Sequence, residues 1–197
     1  MRFVRGALLT IAILLGVFLV VAYVSIGNLF SAVARPGRLE SAVAIRLRNL
    51  SIPADARQAR NPFAGQKDAW RQGADHFNDH CAICHHEDGR GGGEIGPHLS
   101  PPVPDMTRSR TQNLTDGEIF YIISNGVRWT GMPAWKDEHE PEETWHLVSF
   151  IRHLPSLTPE ELEQIEKALV NQRQRHLRHT HGIVARAKKW RYRARAR

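Results

Sequence analysis

Cys81-Ala82-Ile83-Cys84-His85 contains the only two cysteines of the 197-residue chain, with an imidazole directly behind the second. Two residues between the sulfurs put them about one helical turn apart. Both then lie within reach of the two vinyl groups of one porphyrin, so thioether bonds could hold the ring while His85 is carried beneath the metal as an axial ligand. This Cys-x-x-Cys-His run is the attachment signal for c-type haem. Other chemistries use paired thiols. A thioredoxin-like redox pair needs no following His and expects a βαβ setting, which is missing around these residues. A structural zinc would need two further ligands at finger-like spacing, and no second Cys-x-x-Cys or His-x₃-His is read as lying suitably near. A free thiol pair or a disulfide is the remaining alternative.

The elements that must hold this motif read as helices. Helical character begins near Gln66, and Ala69, Trp70, Gly73, Phe77 and His80 recur three or four apart as a stripe leading into Cys81. Gly73 inside that helix costs about 1 kcal/mol relative to Ala; simple tolerance is one account, and close approach of a second helix is the other. Gly89 to Gly93 reads as a flexible loop; it follows no strand and lacks Gly-Lys-Ser/Thr, so it is no phosphate cradle. Pro97, Pro101, Pro102 and Pro104 stiffen a turn leading to Asp105-Met106. Thr115-Asp116-Gly117-Glu118 is a capping box that opens a helix through Ile119, Ile122 and Ile123 and stops it at Asn125-Gly126. Pro141-Glu142-Glu143 opens another, with acids in the first turn where the dipole favours them, and it closes before Pro155.

Charge divides the chain. Residues 1–60 carry eight Arg/Lys against two acids, residues 61–166 eight against eighteen, and residues 167–197 eleven against none. The net charge of +7 therefore belongs to the two ends, and the acidic centre argues against a nucleic-acid-binding core. At the N-terminus, Arg2 and Arg5 precede an apolar run from Ala7 to Val24. Its length is near what the hydrocarbon layer requires and favours a retained anchor over a cleaved signal peptide, for which Ala32-Val33-Ala34 offers a cleavage site. With no cysteine before Cys81, a lipoprotein anchor is excluded. The leading arginines favour a cytoplasmic N-terminus, placing the chain beyond the apolar run outside.

Taken in order, these residues resemble the class I cytochromes c. The N-terminal helix of that family places a Gly eight residues and an aromatic four residues before the first haem cysteine, where Gly73 and Phe77 stand. Gly96-Pro97-His98-Leu99 matches the family's Gly-Pro-x-Leu loop. Asn125 to Trp135, containing Gly131-Met132-Pro133-Ala134-Trp135, is similar to the sixth-ligand loop of small bacterial members. Leu147 and Phe150 fit the C-terminal helix that crosses Gly73 and Phe77. The likeness spans about residues 65–155. It implies an all-α fold of three to four short helices around one haem, covalently attached through Cys81 and Cys84. It also implies that His85 ligates the iron, that the Pro97 carbonyl accepts the His85 Nδ1 proton, and that Leu99 packs against the ring. Two departures stand out: Phe150 replaces a Tyr common in the family, and His86 replaces a glycine.

Only Met1, Met106 and Met132 can supply a thioether. Met106 follows the proline-stiffened turn, where an apolar side chain often closes the haem edge. Met132 lies beyond a helix that can cross to the opposite face, and its position in the matched loop makes it the expected sixth ligand; His98, His139 or an open site are the alternatives. Two good ligands leave no vacancy on the iron, so the expected function is electron transfer, as a carrier or a subunit of a respiratory or dehydrogenase chain, rather than catalysis. A haem-based gas-binding or catalytic protein in which Met132 is displaced is the rival reading. Redox proteins are the expected partners, nucleic acid is not, and the expected location is the bacterial inner membrane with the haem domain in the periplasm.

The expected organisation is an anchor or signal segment over 1–28, a linker over 29–62, the haem domain over 63–156, and a helical then basic extension over 157–197. Within the extension, Thr158-Pro159-Glu160-Glu161 is a further capping box, and Leu162, Ile165, Leu169 and Val170 form an apolar stripe. From Arg173 onward the bases dominate, with Trp190 and Tyr192 among them. A solvated extension is one reading. Contact with anionic lipid head groups or an acidic partner is the other.

Overall fold

The computed structural model describes residues 2–29, 31–168 and 170, and among these all regular structure is helical. Leu169 and the basic tail from residue 171 lie outside the described residues. Helix α1 (Arg2–Leu29) carries an apolar segment from Phe3 to Val24, 22 residues of mean hydropathy 2.8 with none of it buried. At ~1.5 Å per residue such a segment is long enough to cross the hydrocarbon layer.

Residues 29–62, expected as a linker, carry α2 (Arg38–Ser51) and the short α3 (Ala54–Gln58). They pack against α7 (Asp116–Asn125): the Thr115 hydroxyl donates to the Arg57 carbonyl at 2.9 Å, and Gly117 lies against the Ala56 carbonyl so closely that a Cβ there would collide with it. Ile52, just after α2, is 3 % exposed. Asn61 then ties the segment to the haem domain. Its buried amide donates to the Trp145 carbonyl at 3.1 Å and to the Ser149 hydroxyl at 2.9 Å.

The core is built on the crossing of α4 (Ala69–His80) with α8 (Pro141–His153). Ala69, Trp70, Gly73, Ala74 and Phe77 are the buried face of α4. His80, expected at the end of that stripe, is exposed, and Ala74 takes part instead. Leu147, Val148 and Phe150 of α8 are at most 1 % exposed and meet this face. Helix α7 begins at the Thr115 capping box, with Glu118 N–H donating to the Thr115 hydroxyl and the Glu118 carboxylate accepting from Thr115 N–H. It ends at Gly126, whose φ of 65° and ψ of −170° suit glycine alone. Between α4 and α7 lie two one-turn helices, α5 (Ala82–His85) and α6 (Ser109–Gln112). Arg152 of α8 gathers the turn between α6 and α7, donating to the Asp116 carboxylate at 2.7 Å and to the carbonyls of Gln112 and Leu114.

Residues 159–168 are helical and start at the second capping box, where Glu161 and Thr158 exchange hydrogen bonds. Ile165 is buried within the same core as Leu154 and Phe150. The first part of the expected extension therefore packs onto the haem domain.

Candidate functional site

The chain passes from α4 into α5 through Cys81, which ends one helix and precedes the other. His85 N–H and Cys84 N–H both donate to the Cys81 carbonyl, at 2.9 and 3.1 Å, so both thiols and the imidazole ride on one helical turn. Burial, and the neighbouring Cys84 second, push the Cys81 thiol up to about 12; burial raises Cys84 too. Neither cysteine is in a disulfide.

His85 is held with its ring 6.1 Å from that of Phe77, and Phe77 is 5.0 Å from Phe150. Burial pushes the His85 pKa down to about 4, so the ring is neutral at pH 7. The Pro97 carbonyl was expected to accept the Nδ1 proton. No such bond forms: Nδ1 is buried without any hydrogen-bond partner. A histidine that binds iron does so through one ring nitrogen and donates from the other, so with Nδ1 as the outer donor the iron would be held by Nε2, and Nδ1 here lacks the acceptor it was expected to find.

The loop after His85, expected to be flexible, is pinned to α5. Gly91 N–H donates to the His85 carbonyl at 2.9 Å and Ile95 N–H to the Ile83 carbonyl at 3.0 Å. Gly93 and Gly96 sit so close to the carbonyls of Ala82, Ile83 and Cys84 that side chains there would overlap them. Gly96 thereby seats the short turn Gly96–His98, which carries an exposed Pro97, directly on the motif.

Leu99, next along, is half-buried and touches the expected ligand loop: a Cβ at Gly131 would lie 2.7 Å from Leu99 Cδ2. In that loop, Met132 N–H donates to the Thr130 hydroxyl at 3.1 Å and its carbonyl accepts from Val127 N–H at 3.2 Å. Trp135 N–H donates to the Ser124 carbonyl at 3.1 Å and closes the loop onto the end of α7. Met132 is half-buried against the core, whereas Met106 is 7 % exposed and fully part of it. Trp129 is 88 % exposed with the Arg128 guanidinium 5.4 Å from its ring, and Trp135 stacks on His139 at 4.7 Å.

Phe77, Cys81, Cys84 and His85 thus lie together on α4 and α5, the Gly96 turn bearing Pro97 is seated on α5, and Leu99 meets Gly131 of the loop that carries Met132. Free thiols and an imidazole on one turn, with glycines cleared for backbone approach behind them, fit a haem c. His139, one of the alternative ligands, belongs elsewhere: it clusters with His76 and His80. Sequence alone did not reveal that grouping, although His76-x₃-His80 within the expected helix was the signal for two of its members.

An all-helical domain built around this motif is a class I c-type cytochrome domain. Residues 68–151 match the family described as cytochrome C oxidase, cbb3-type, subunit III. The domain carries haem c, with Cys81 and Cys84 in the spacing that attaches it. When bound, haem c supplies an iron that exchanges one electron between Fe(III) and Fe(II). Among solved structures, a chain of the Kuenenia stuttgartiensis reducing HAO-like protein complex Kustc0457/Kustc0458 is 21 % identical, with a TM-score of 0.41, over 45 % of this chain and 44 % of that one. The match thus spans less than half the length of either. No curated protein matches the chain.

Proposed function

We propose that the chain is a membrane-anchored monohaem electron carrier, or the electron-transfer subunit of a respiratory or dehydrogenase complex, with His85 and Met132 as axial ligands. The observation that carries this reading is the Leu99–Gly131 contact, which ties the Met132 loop to the turn seated on α5. Met106 is the poorer candidate, because it lies in the apolar core with its carbonyl accepting from the Gln112 amide at 2.7 Å. Two protein ligands let the site change oxidation state with little rearrangement, and the protein's work is then to set the potential and present one edge.

The matched family's description as an oxidase subunit favours a place in a complex. The apolar segment of α1 anchors the chain in the bacterial inner membrane with the haem domain in the periplasm, where c-type haem is attached. The basic tail from Arg173 holds anionic head groups or an acidic partner surface, keeping the haem domain near its partners.

The test is Met132→Ala against Met106→Ala in the haem-loaded protein. Met132→Ala should remove the sulfur–iron charge-transfer band, admit CO and lower the potential, because a thioether favours ferrous iron. Met106→Ala should leave the spectrum intact and cost about 2–5 kcal/mol of stability, as truncation of a buried methionine does. The reverse pattern would move the ligand to Met106. CO binding to the unaltered reduced protein would favour the gas-binding alternative.

A further inference from the structure

Three histidines beside the haem motif converge on one point. His76 and His80 stand four apart on α4, and His139 comes from the loop before α8. One ring nitrogen from each lies within 4.8 Å of the others. The His76 and His139 ring centroids are 4.2 Å apart, and the His80 ring stands 5.1 Å from one and 5.2 Å from the other. Their hydrogen bonding is anomalous. His139 is 6 % exposed, yet neither Nδ1 nor Nε2 has a partner, and His76 Nε2 is also buried and unpartnered. Buried polar atoms are almost always paired, and an ion is one of the few things that explains a cluster that is not.

We propose that His76, His80 and His139 form a binding site for one divalent transition-metal ion, Zn(II) or Cu(II), with the fourth position open to water. Three imidazoles and one exchangeable position are a recurrent ligand set for Zn(II), and imidazole suits Cu(II) equally. Metal–nitrogen bonds of about 2.0–2.1 Å in a tetrahedron bring the nitrogens to roughly 3.4 Å from one another, so the rings need close by at most about 1.4 Å. His80 is exposed and free to make that movement. The surroundings serve the site as outer partners should. Trp135 stacks on His139 at 4.7 Å with 18° between the planes, holding the buried ring in place. Glu143 lies close enough to act electrostatically on both His76 and His139, supplying negative charge against the cation. Trp135 also stands three residues beyond Met132, so an ion here would stiffen the far end of that loop.

The experiment uses the full-length haem-loaded protein in detergent, stripped with chelator and dialysed against Zn(II) or Cu(II). One equivalent should bind at micromolar concentration or tighter, and Cu(II) should show nitrogen hyperfine splitting. His80→Gln, at an exposed position, should weaken binding at least ~100-fold while the haem bands and melting temperature stay unchanged, beyond what an outer-shell change costs. His139→Gln, at a buried position, should weaken binding to the same extent with the haem bands unchanged, whatever it costs in melting temperature. The tail holds His176, His179 and His181, so the triple variant His176→Gln/His179→Gln/His181→Gln must retain the first equivalent. Absence of binding, loss of the first equivalent in the tail variant, or indifference to His80→Gln would overturn the site. A changed haem spectrum in His139→Gln with His80→Gln silent would overturn it too, by placing His139 on the iron.

Discussion

Gly73 of α4 lies directly against the His146 carbonyl and Phe150 Cβ of α8: a methyl at Gly73 would come within 2.9 Å of Phe150 Cβ and overlap the carbonyl oxygen. The obstruction is helix backbone, which cannot rotate away. Gly73→Ala gains about 1 kcal/mol of helix propensity but forces the two helices apart, an overpacking cost of about 1–3 kcal/mol or more. A net loss of about 1–2 kcal/mol is expected, read as a lowered melting temperature of the haem-loaded protein. A stabilised Gly73→Ala would show that the crossing is looser than this contact implies.

What could be read from sequence was what is marked locally. Thr115, Pro141 and Thr158 announce their helices by side chains that bond to backbone three residues on, or by a ring suited to the first turn, and all three helices start there. The stripe through Gly73 and Phe77 gave the α4–α8 crossing. What escaped depends on distant partners. The segment around α3 looked like a tether because its attachments are polar and remote: the Asn61 amide reaches α8, and Gly117 meets a carbonyl of α3. Gly93 suggested flexibility by composition, whereas it is small so that a fixed loop can touch α5. His139 joins His76 and His80 only through the tertiary fold, and nothing local to residue 139 signals it.

His86 occupies φ 62° and ψ 157°, a conformation that glycine tolerates and other residues adopt at a cost of about 1–3 kcal/mol. That geometry accounts for the glycine common at this position in the family. The imidazole recovers part of the cost through Asp88 at 3.0 Å and Glu87 at 3.4 Å, contacts near the surface worth at most ~1 kcal/mol. His86→Gly should therefore stabilise the domain by about 1 kcal/mol, raising its melting temperature by roughly 4–8 °C. His86→Ala, which keeps the strain and loses the contacts, should not. Equal effects of the two substitutions would remove strain as the explanation.

Acid should loosen the helix over residues 159–168 before it unfolds the core. The backbone N–H of Thr158 holds the Glu161 carboxylate below its ordinary 4.5, burial opposes it, and His153 at 3.1 Å adds to the lowering. A carboxylate depressed by folding contributes stability that is present above its unfolded pKa and is lost as pH falls below it. Amide exchange at residues 158–161 should accelerate as pH drops through about 4.5 downward, after correction for the intrinsic rate. Glu161→Gln should flatten that dependence. An unchanged pH profile in the variant would assign the loosening to another group.

Leu99 and Gly131 offer the sharpest probe of the ligand loop, because their contact is between a flexible side chain and a missing one. A Cβ at Gly131 would meet Leu99 Cδ2 at 2.7 Å and Cδ1 at 2.8 Å, so Gly131→Ala must move either the leucine or the loop that carries Met132. If Leu99 is braced by haem, the loop gives way. The variant should then show a weakened charge-transfer band and a lowered potential, with a stability loss of about 1–3 kcal/mol. Leu99→Ala in the same chain removes the obstacle, and the double variant should regain the band although Leu99→Ala alone costs about 2 kcal/mol or more. The two positions should therefore be strongly non-additive, with a coupling of about 0.5–3 kcal/mol. Additive effects, or a Gly131→Ala spectrum identical to the parent, would separate the Met132 loop from the Gly96 turn and remove the contact on which the His85/Met132 assignment rests.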